Sequence, residues 1–292
     1  MPAAVDVVAR RAYQPRNLRL PGGLTVSFPA MMGVLNLTPD SFSDGGRFMA
    51  RDQAVAHALE LAQAGCQIVD LGGESTRPGA RAVPLEEEWA RVGPVLHELA
   101  GRLSSAISID TRKAEVARRA ILEGATIVND VSALTFDPAM ASVVARARVA
   151  VVLMHMRGTP ATMMSKARYH DLLAEVSHYL LARAAAARQA GIARSRIVLD
   201  PGIGFAKRAR HNFAILGGMA RLRHLGYPLL IGPSRKAFIG RVAGTRAEQL
   251  LFGTAAATAI AVAGGAAIVR VHDPAPLAAV VKVAAAVARA RS

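Results

Sequence analysis

Eight short apolar runs in this chain each stop at a polar residue, and that repetition limits what it can fold into. They read MMGVLN to Asn36, CQIVD to Asp70, AISID to Asp110, TIVND to Asn129 and Asp130, AVVLMH to His155, RIVLD to Asp200, PLLIGPS to Ser234, and AAIVRVHD to Arg270 and His272. Helix-like stretches rich in Ala, Leu, Arg and Glu lie between most of them. Buried strands alternating with helices predict a parallel sheet. Eight such units predict an α/β fold, a closed (β/α)8 TIM barrel with its active site at the carboxyl ends of the strands. A β-hairpin is expected over about 17–30, turning at Gly22–Gly23 and plugging the amino-terminal end of the barrel. The barrel itself should run over about 31–290, in one domain.

Charge and composition remove several classes. The 36 basic and 21 acidic residues give a net +15, but the arginines are scattered and aromatics make up 4%. That is too few for base-stacking platforms, so no nucleic-acid partner is expected. A basic nucleic-acid-binding protein without catalysis is the reading from a different class, and steep salt dependence would be its signature. Leu250 to Val269 carries no charge and is long enough to span a bilayer, but it is mostly alanine and broken by Gly264 and Gly265. A buried helix, a glycine turn and the last strand are predicted there, with no membrane partner. The amino terminus has no apolar signal core. Lone Cys66 excludes a disulfide framework and suits a reducing, cytoplasmic setting. The helix near Ala247–Ala263 is apolar on more than one face, which predicts a subunit interface.

The strand ends carry the chemistry. A barrel gathers Asp110, Asn129 and Asp200 around one mouth, where two carboxylates and an amide suit a flat heterocycle with an amino-amide edge. Each alone also reads as a helix N-cap, Asp110 before Thr111 above all. Asn36 opens a loop, NLTPDSFSDGG, whose amide and oxygens suit Mg²⁺ that keeps waters and phosphate oxygens, or an Asx-turn series. Arg270 and His272 share one face of the last strand beside Ser234, Arg235 and Lys236, a cluster of cationic or donor groups suited to an anion. No P-loop, HExxH or GxSxG element is present. An anion site, a metal site and a flat-ring pocket together predict displacement of a phosphate or diphosphate.

Eight segments in order then carry a resemblance: GVLNLTPDSFSDGG, DLGGESTRPGA, SIDT, NDVSA, LMHMRGTPATM, DPGIGFAK, GPSRKAFIG and RVHD. The chain resembles the dihydropteroate synthases, the folate-pathway enzymes that sulfonamides inhibit, from about Met31 to Asp273. The resemblance implies joining 6-hydroxymethyl-7,8-dihydropterin diphosphate to 4-aminobenzoate with release of diphosphate. By it, Asp110, Asn129 and Asp200 bind the pterin, Lys236 contacts it, and Thr76 touches substrate. Arg270 and His272 bind the diphosphate, and Asn36 is the Mg²⁺ ligand. Phe42, Arg77, Pro78, Phe205 and Ser234 border the aminobenzoate, and the assembly is a homodimer. Asn36, Lys236, Arg270 and His272 are the implied catalytic set. Ala206, Arg157 and Ala237 depart from the family's usual residues. A pterin-binding methyltransferase with a corrinoid partner shares the pterin pocket but should lack NLTPDSFSDGG, SRK and RVHD. Arg270→Ala is expected to lower turnover and leave the fold intact.

Overall fold

The computed structural model describes residues 16–38 and 47–290. Phe42 and the oxygens of Asp40, Ser41, Ser43 and Asp44 lie outside the described residues. β1 (Asn17–Arg19) and β2 (Thr25–Ser27) pair antiparallel, as the glycine turn predicts. Gly22 and Gly23 both take positive φ (71° and 80°), which they reach without a Cβ penalty. The ribbon buries Leu18, Leu20 and Val26 against the lower ends of the barrel strands, so it closes that end with apolar side chains.

The barrel strands are β3 (Ala30–Asn36), β4 (Ile68–Gly72), β5 (Ala106–Asp110), β6 (Ile127–Asp130), β7 (Ala150–Met154), β8 (Ile197–Asp200), β9 (Leu230–Ile231) and β10 (Ile268–Val271). They pair in parallel in the order β8-β7-β6-β5-β4-β3-β10-β9. A bridge between Leu199 and Leu229 joins the two outer strands and closes the ring. β9 is the shortest because Pro228 and Pro233, which have no N–H to give a ladder, flank it.

Strand periodicity of two sorts the side chains. One set, including Met32, Ile68, Ile127, Val152, Val198 and Ile268, fills the barrel's lower interior against the hairpin. The alternate set, including Met31, Val69, Val128, Val151 and Val269, packs outward under the helices. Continuing the inward set up each strand gives Asp70, Asp110, Asn129, Asp200 and Arg270. The inner wall is therefore apolar below and polar above.

The helices are α1 (Arg47–Gln63), α2 (Leu85–Leu99), α3 (Ala114–Leu122), α4 (Met140–Ala147), α5 (Leu172–Gln189), α6 (Ala209–Gly217), α7 (Met219–Arg223), α8 (Ala237–Ala243), α9 (Ala247–Ala263) and α10 (Pro274–Ala290). Glu115 and Arg119, four residues apart on one face of α3, pair at 2.9 Å. α9 ends at the Gly264–Gly265 turn and hands over to β10, so the long uncharged stretch is a helix and a strand. Among the described residues no helix is long and apolar enough to cross a membrane. Two sequence boundaries shift. The second strand starts at Ile68 and runs on to Gly72, which moves Asp70 from a strand end to its interior. α3 starts at Ala114, whose N–H is taken by Asp137 Oδ2 at 2.8 Å.

Candidate active site

A cavity of about 1080 Å³ opens at the carboxyl ends of the strands. Asp110, Asn129 and Asp200 line it from three strand ends, and Arg270 and His272 from β10 and the turn after it. Ser234 and Lys236 join from the β9–α8 turn, Asn36 from the end of β3, and Phe205 from the β8–α6 loop. Thr76, Arg77 and Pro78 reach it from the loop after β4. Every sequence-predicted site residue within the described chain is thus brought to one cavity. Phe42 lies outside the described residues.

The three acceptor positions are not simple helix caps. Asp110 accepts from Arg270 Nη2 at 3.0 Å and leaves the start of α3 to Asp137. Asn129 Nδ2 donates to Asp70 Oδ2 at 3.0 Å. Asp200 does accept locally, from Gly202 N–H at 2.6 Å, but still faces the cavity. Burial raises the Asp110 carboxyl above its ordinary range, with Arg270 opposing and Asp70 reinforcing the rise. Burial also lifts Asp200 to about 6, against the Gly202 N–H, Lys207, Lys236 and Arg270.

The cationic side is equally buried. Burial and then the nearby Arg270 pull Lys236 down to about 8, and its Nζ lies 4.5 Å from the Phe205 ring centre. His272 is held neutral, near 3, first by burial and then by Arg270. Its Nδ1 sits 3.1 Å from Ser234 Oγ, which also accepts its backbone N–H at 3.2 Å. His272 therefore offers this cavity a neutral imidazole rather than a second cation. Arg270 is fixed by two carboxylates, through Nε to Asp70 Oδ2 at 2.7 Å and through Nη2 to Asp110. Those pairs revise one expectation. Arg270→Ala would strip two buried acids of their counter-charge, so the fold would not be left untouched.

Three residues escaped the sequence reading. Asp70 ends an apolar run but lies below the rim. Glu74 anchors the base of the loop after β4, accepting from Arg112 Nε at 3.0 Å and from the Val83 N–H at 3.3 Å. Lys207 is buried, its Nζ 3.0 Å from His155 Nδ1 and 2.9 Å from the Phe205 carbonyl. Gly202 makes that contact possible, because a Cβ there would come within 2.1 Å of the His155 carbonyl. Glu74 and Lys207 stand inside quoted segments, GGEST and GFAK, which was the available signal.

Among the described residues no three His, Cys, Asp or Glu side chains form a metal cluster. An Asn36 amide on the cavity wall fits a hard ion held mainly by water and phosphate oxygens.

The family of pterin binding enzymes matches residues 32–272. The dihydropteroate synthase of a Synechocystis strain is 46% identical over 260 residues, covering 89% of this chain and 90% of that protein. The chain belongs to the dihydropteroate synthase family. Structures agree. The Xanthomonas albilineans dihydropteroate synthase solved with 4-aminobenzoic acid superposes with a TM-score of 0.87 at 44% identity, covering 94% of this chain and 98% of that one. The same organism's enzyme in complex with 7,8-dihydropteroate gives 0.83 at 41%, covering 93% and 98%. Two departures from the family's usual residues now have physical settings in this synthase. Ala206 holds a positive φ of 50°, which is why glycine suits that position. Arg157 stacks 4.2 Å over the Tyr169 ring and pairs with Glu175, tying the loop after β7 to α5. Nothing in the structure explains Ala237.

Proposed function

We propose that this synthase condenses 6-hydroxymethyl-7,8-dihydropterin diphosphate with 4-aminobenzoate inside the cavity, by an SN1-like displacement assisted by Mg²⁺. The observation that carries the site assignment is the meeting of acceptors from β5, β6 and β8 with the cations Arg270 and Lys236 in one cavity. Asp110, Asn129 and Asp200 would take the ring N–H and amino donors. Arg270 would then release Asp110 to the pterin while keeping its Nε on Asp70, which turns the rest of the fork toward the diphosphate. His272 would donate to the same anion through the ring nitrogen not facing Ser234. Asn36 would hold the ion, whose chemistry is to draw charge from the departing diphosphate. Lys236, over Phe205, would stand between pterin and aminobenzoate, with Thr76, Arg77, Pro78, Phe205, Ser234 and Phe42 around them. Excluding water matters because it would otherwise capture the ring-stabilised cation.

The deciding experiment measures diphosphate release with and without 4-aminobenzoate and Mg²⁺. Release that requires both, with dihydropteroate formed, supports the reading. A folded protein that binds the pterin but releases nothing rejects it.

A pH prediction follows from Asp200. Its carboxyl sits near 6 rather than 3.8, so the ionised acceptor is complete above about pH 6 and is lost as pH falls through it. The kcat/KM for the pterin should show an acid limb near pH 6. An Asp200→Asn protein should lose that limb. An acid limb that persists unchanged in Asp200→Asn would reject the acceptor role.

We also infer a homodimer in the cytosol, the setting that a single buried cysteine suits. Its interface would use the outer faces of α9 and α10, where Phe252 (65% exposed), Ile260 (53%) and Val283 (65%) lie open. Phe252→Glu should convert the dimer to monomer in sedimentation analysis. A dimer of unchanged affinity would place the contact elsewhere.

A further inference from the structure

Below the cavity rim the inner wall of the barrel carries one more acid, Asp70. It is fully buried at the third residue of β4 and faces no solvent. One of its oxygens, Oδ2, receives two donors from different strands. Asn129 Nδ2 reaches it from β6 at 3.0 Å, and Arg270 Nε reaches it from β10 at 2.7 Å. Both donor residues line the cavity above.

We propose that Asp70 is a positioning residue for the pterin, whose Oδ2 sets the hydrogen-bond polarity of the pocket without touching substrate. An ionised carboxylate only accepts hydrogen bonds. It has no N–H to give, so the amide of Asn129 must turn its NH₂ group downward. The Asn129 carbonyl oxygen is then turned away from Asp70, and the cavity meets an acceptor there. The same oxygen holds the guanidinium of Arg270 by Nε, the donor at the base of its fork. Nη1 and Nη2 are thereby the groups free to change partners when substrate enters. Without Asp70 the amide can sit either way round, and one orientation sets N–H against the N–H edge of a pterin. The planar fork would also lose the fixed direction that bidentate recognition needs. The assignment rests on the pterin reading above.

The test compares Asp70→Ala with Asp70→Asn. An asparagine can put its own carbonyl oxygen where Oδ2 was, so it restores the acceptor without the charge. Titration calorimetry with 6-hydroxymethyl-7,8-dihydropterin diphosphate, in the absence of 4-aminobenzoate, reads the pocket directly. Steady-state kinetics give KM for 4-aminobenzoate, and thermal melts report the folded fraction. The inference expects pterin affinity to fall about tenfold or more in Asp70→Ala and to stay within about threefold of the parent in Asp70→Asn. It expects KM for 4-aminobenzoate to change by less than about twofold in both, in protein that still melts cooperatively. Equal losses in the two variants would overturn it, because charge rather than acceptor geometry would then be at work. Unchanged pterin affinity in Asp70→Ala would overturn it as well, as would KM for 4-aminobenzoate rising in step with the pterin loss. A parent protein that fails to bind the pterin would reject the functional reading itself, and this inference with it.

Discussion

Replacing Arg270 with alanine should lower kcat/KM for the pterin diphosphate by about 10²–10³-fold, the usual cost of losing a group that stabilises charge formed in the transition state. The same change should destabilise the barrel by roughly 3–5 kcal/mol, because one partner of a buried pair is removed and the other left charged. Both effects come from the same atoms. Arg270 joins Asp70 through Nε and Asp110 through Nη2, and Asp70 is wholly buried. The carboxylates of Asp70 and Asp110 outweigh the burial that would otherwise lower its affinity for the proton, so the guanidinium stays charged. Arg270→Lys separates the two roles. An ammonium keeps a charge near both acids but cannot hold a fork across them and still offer a planar pair of donors. It should recover most of the stability and little of the rate. Kinetics and urea melts on the three proteins decide it. Full turnover in Arg270→Lys would mean that only charge matters, and full turnover in Arg270→Ala would remove the residue from the reaction.

The difference between fold and site in sequence legibility has a physical basis. Strand residues reveal themselves through apolar runs, and period two along β10 already put Arg270 and His272 on one face. The closing strand was the weak case: prolines on both sides leave β9 only two residues, though the PLLI run reads longer. Positions at the mouth were legible because each run stops on them. Asp70 was not assigned because the run CQIVD stops there while the strand continues through Leu71 and Gly72. A residue one turn of the pleat below the rim has the same sequence signature as one on it. Lys207 was hidden for another reason. A lysine in a loop ordinarily reads as solvated, and only the close approach at Gly202 shows it turned inward between two strand ends. His272 was expected as a cationic or donor group beside Arg270, and only its burial, with Arg270, Arg235 and Lys236 nearby, shows why it stays neutral.

Lys207 leads to the second large effect, a change in how stability depends on pH. Burial pulls its ammonium from 10.5 to about 7, with Asp200 resisting. The folded state thus holds fewer protons than the unfolded chain between about pH 7 and 10.5. In that window stability contributed by this group rises with pH, and below it the penalty for burying the charge is complete. Methionine has a similar length and no charge, so it avoids the penalty at every pH. It also leaves the carbonyls of Phe205 and His155 without the donor they have now, at about 1–3 kcal/mol each, which is a cost that does not vary with pH. The stability of Lys207→Met relative to the parent should therefore be most favourable near pH 7 and decline by on the order of 4 kcal/mol toward pH 10.5. Chemical denaturation at a series of pH values reads that slope, and a flat difference would show that burial leaves the proton affinity of Lys207 unchanged. Function should move the other way. Asp200 loses one of the cations that hold its carboxyl down, so the acid limb of kcat/KM should shift above pH 6 in the variant. A protein that becomes easier to fold at neutral pH while binding its pterin less well would show why a costly buried lysine stands behind the acceptor at the end of β8.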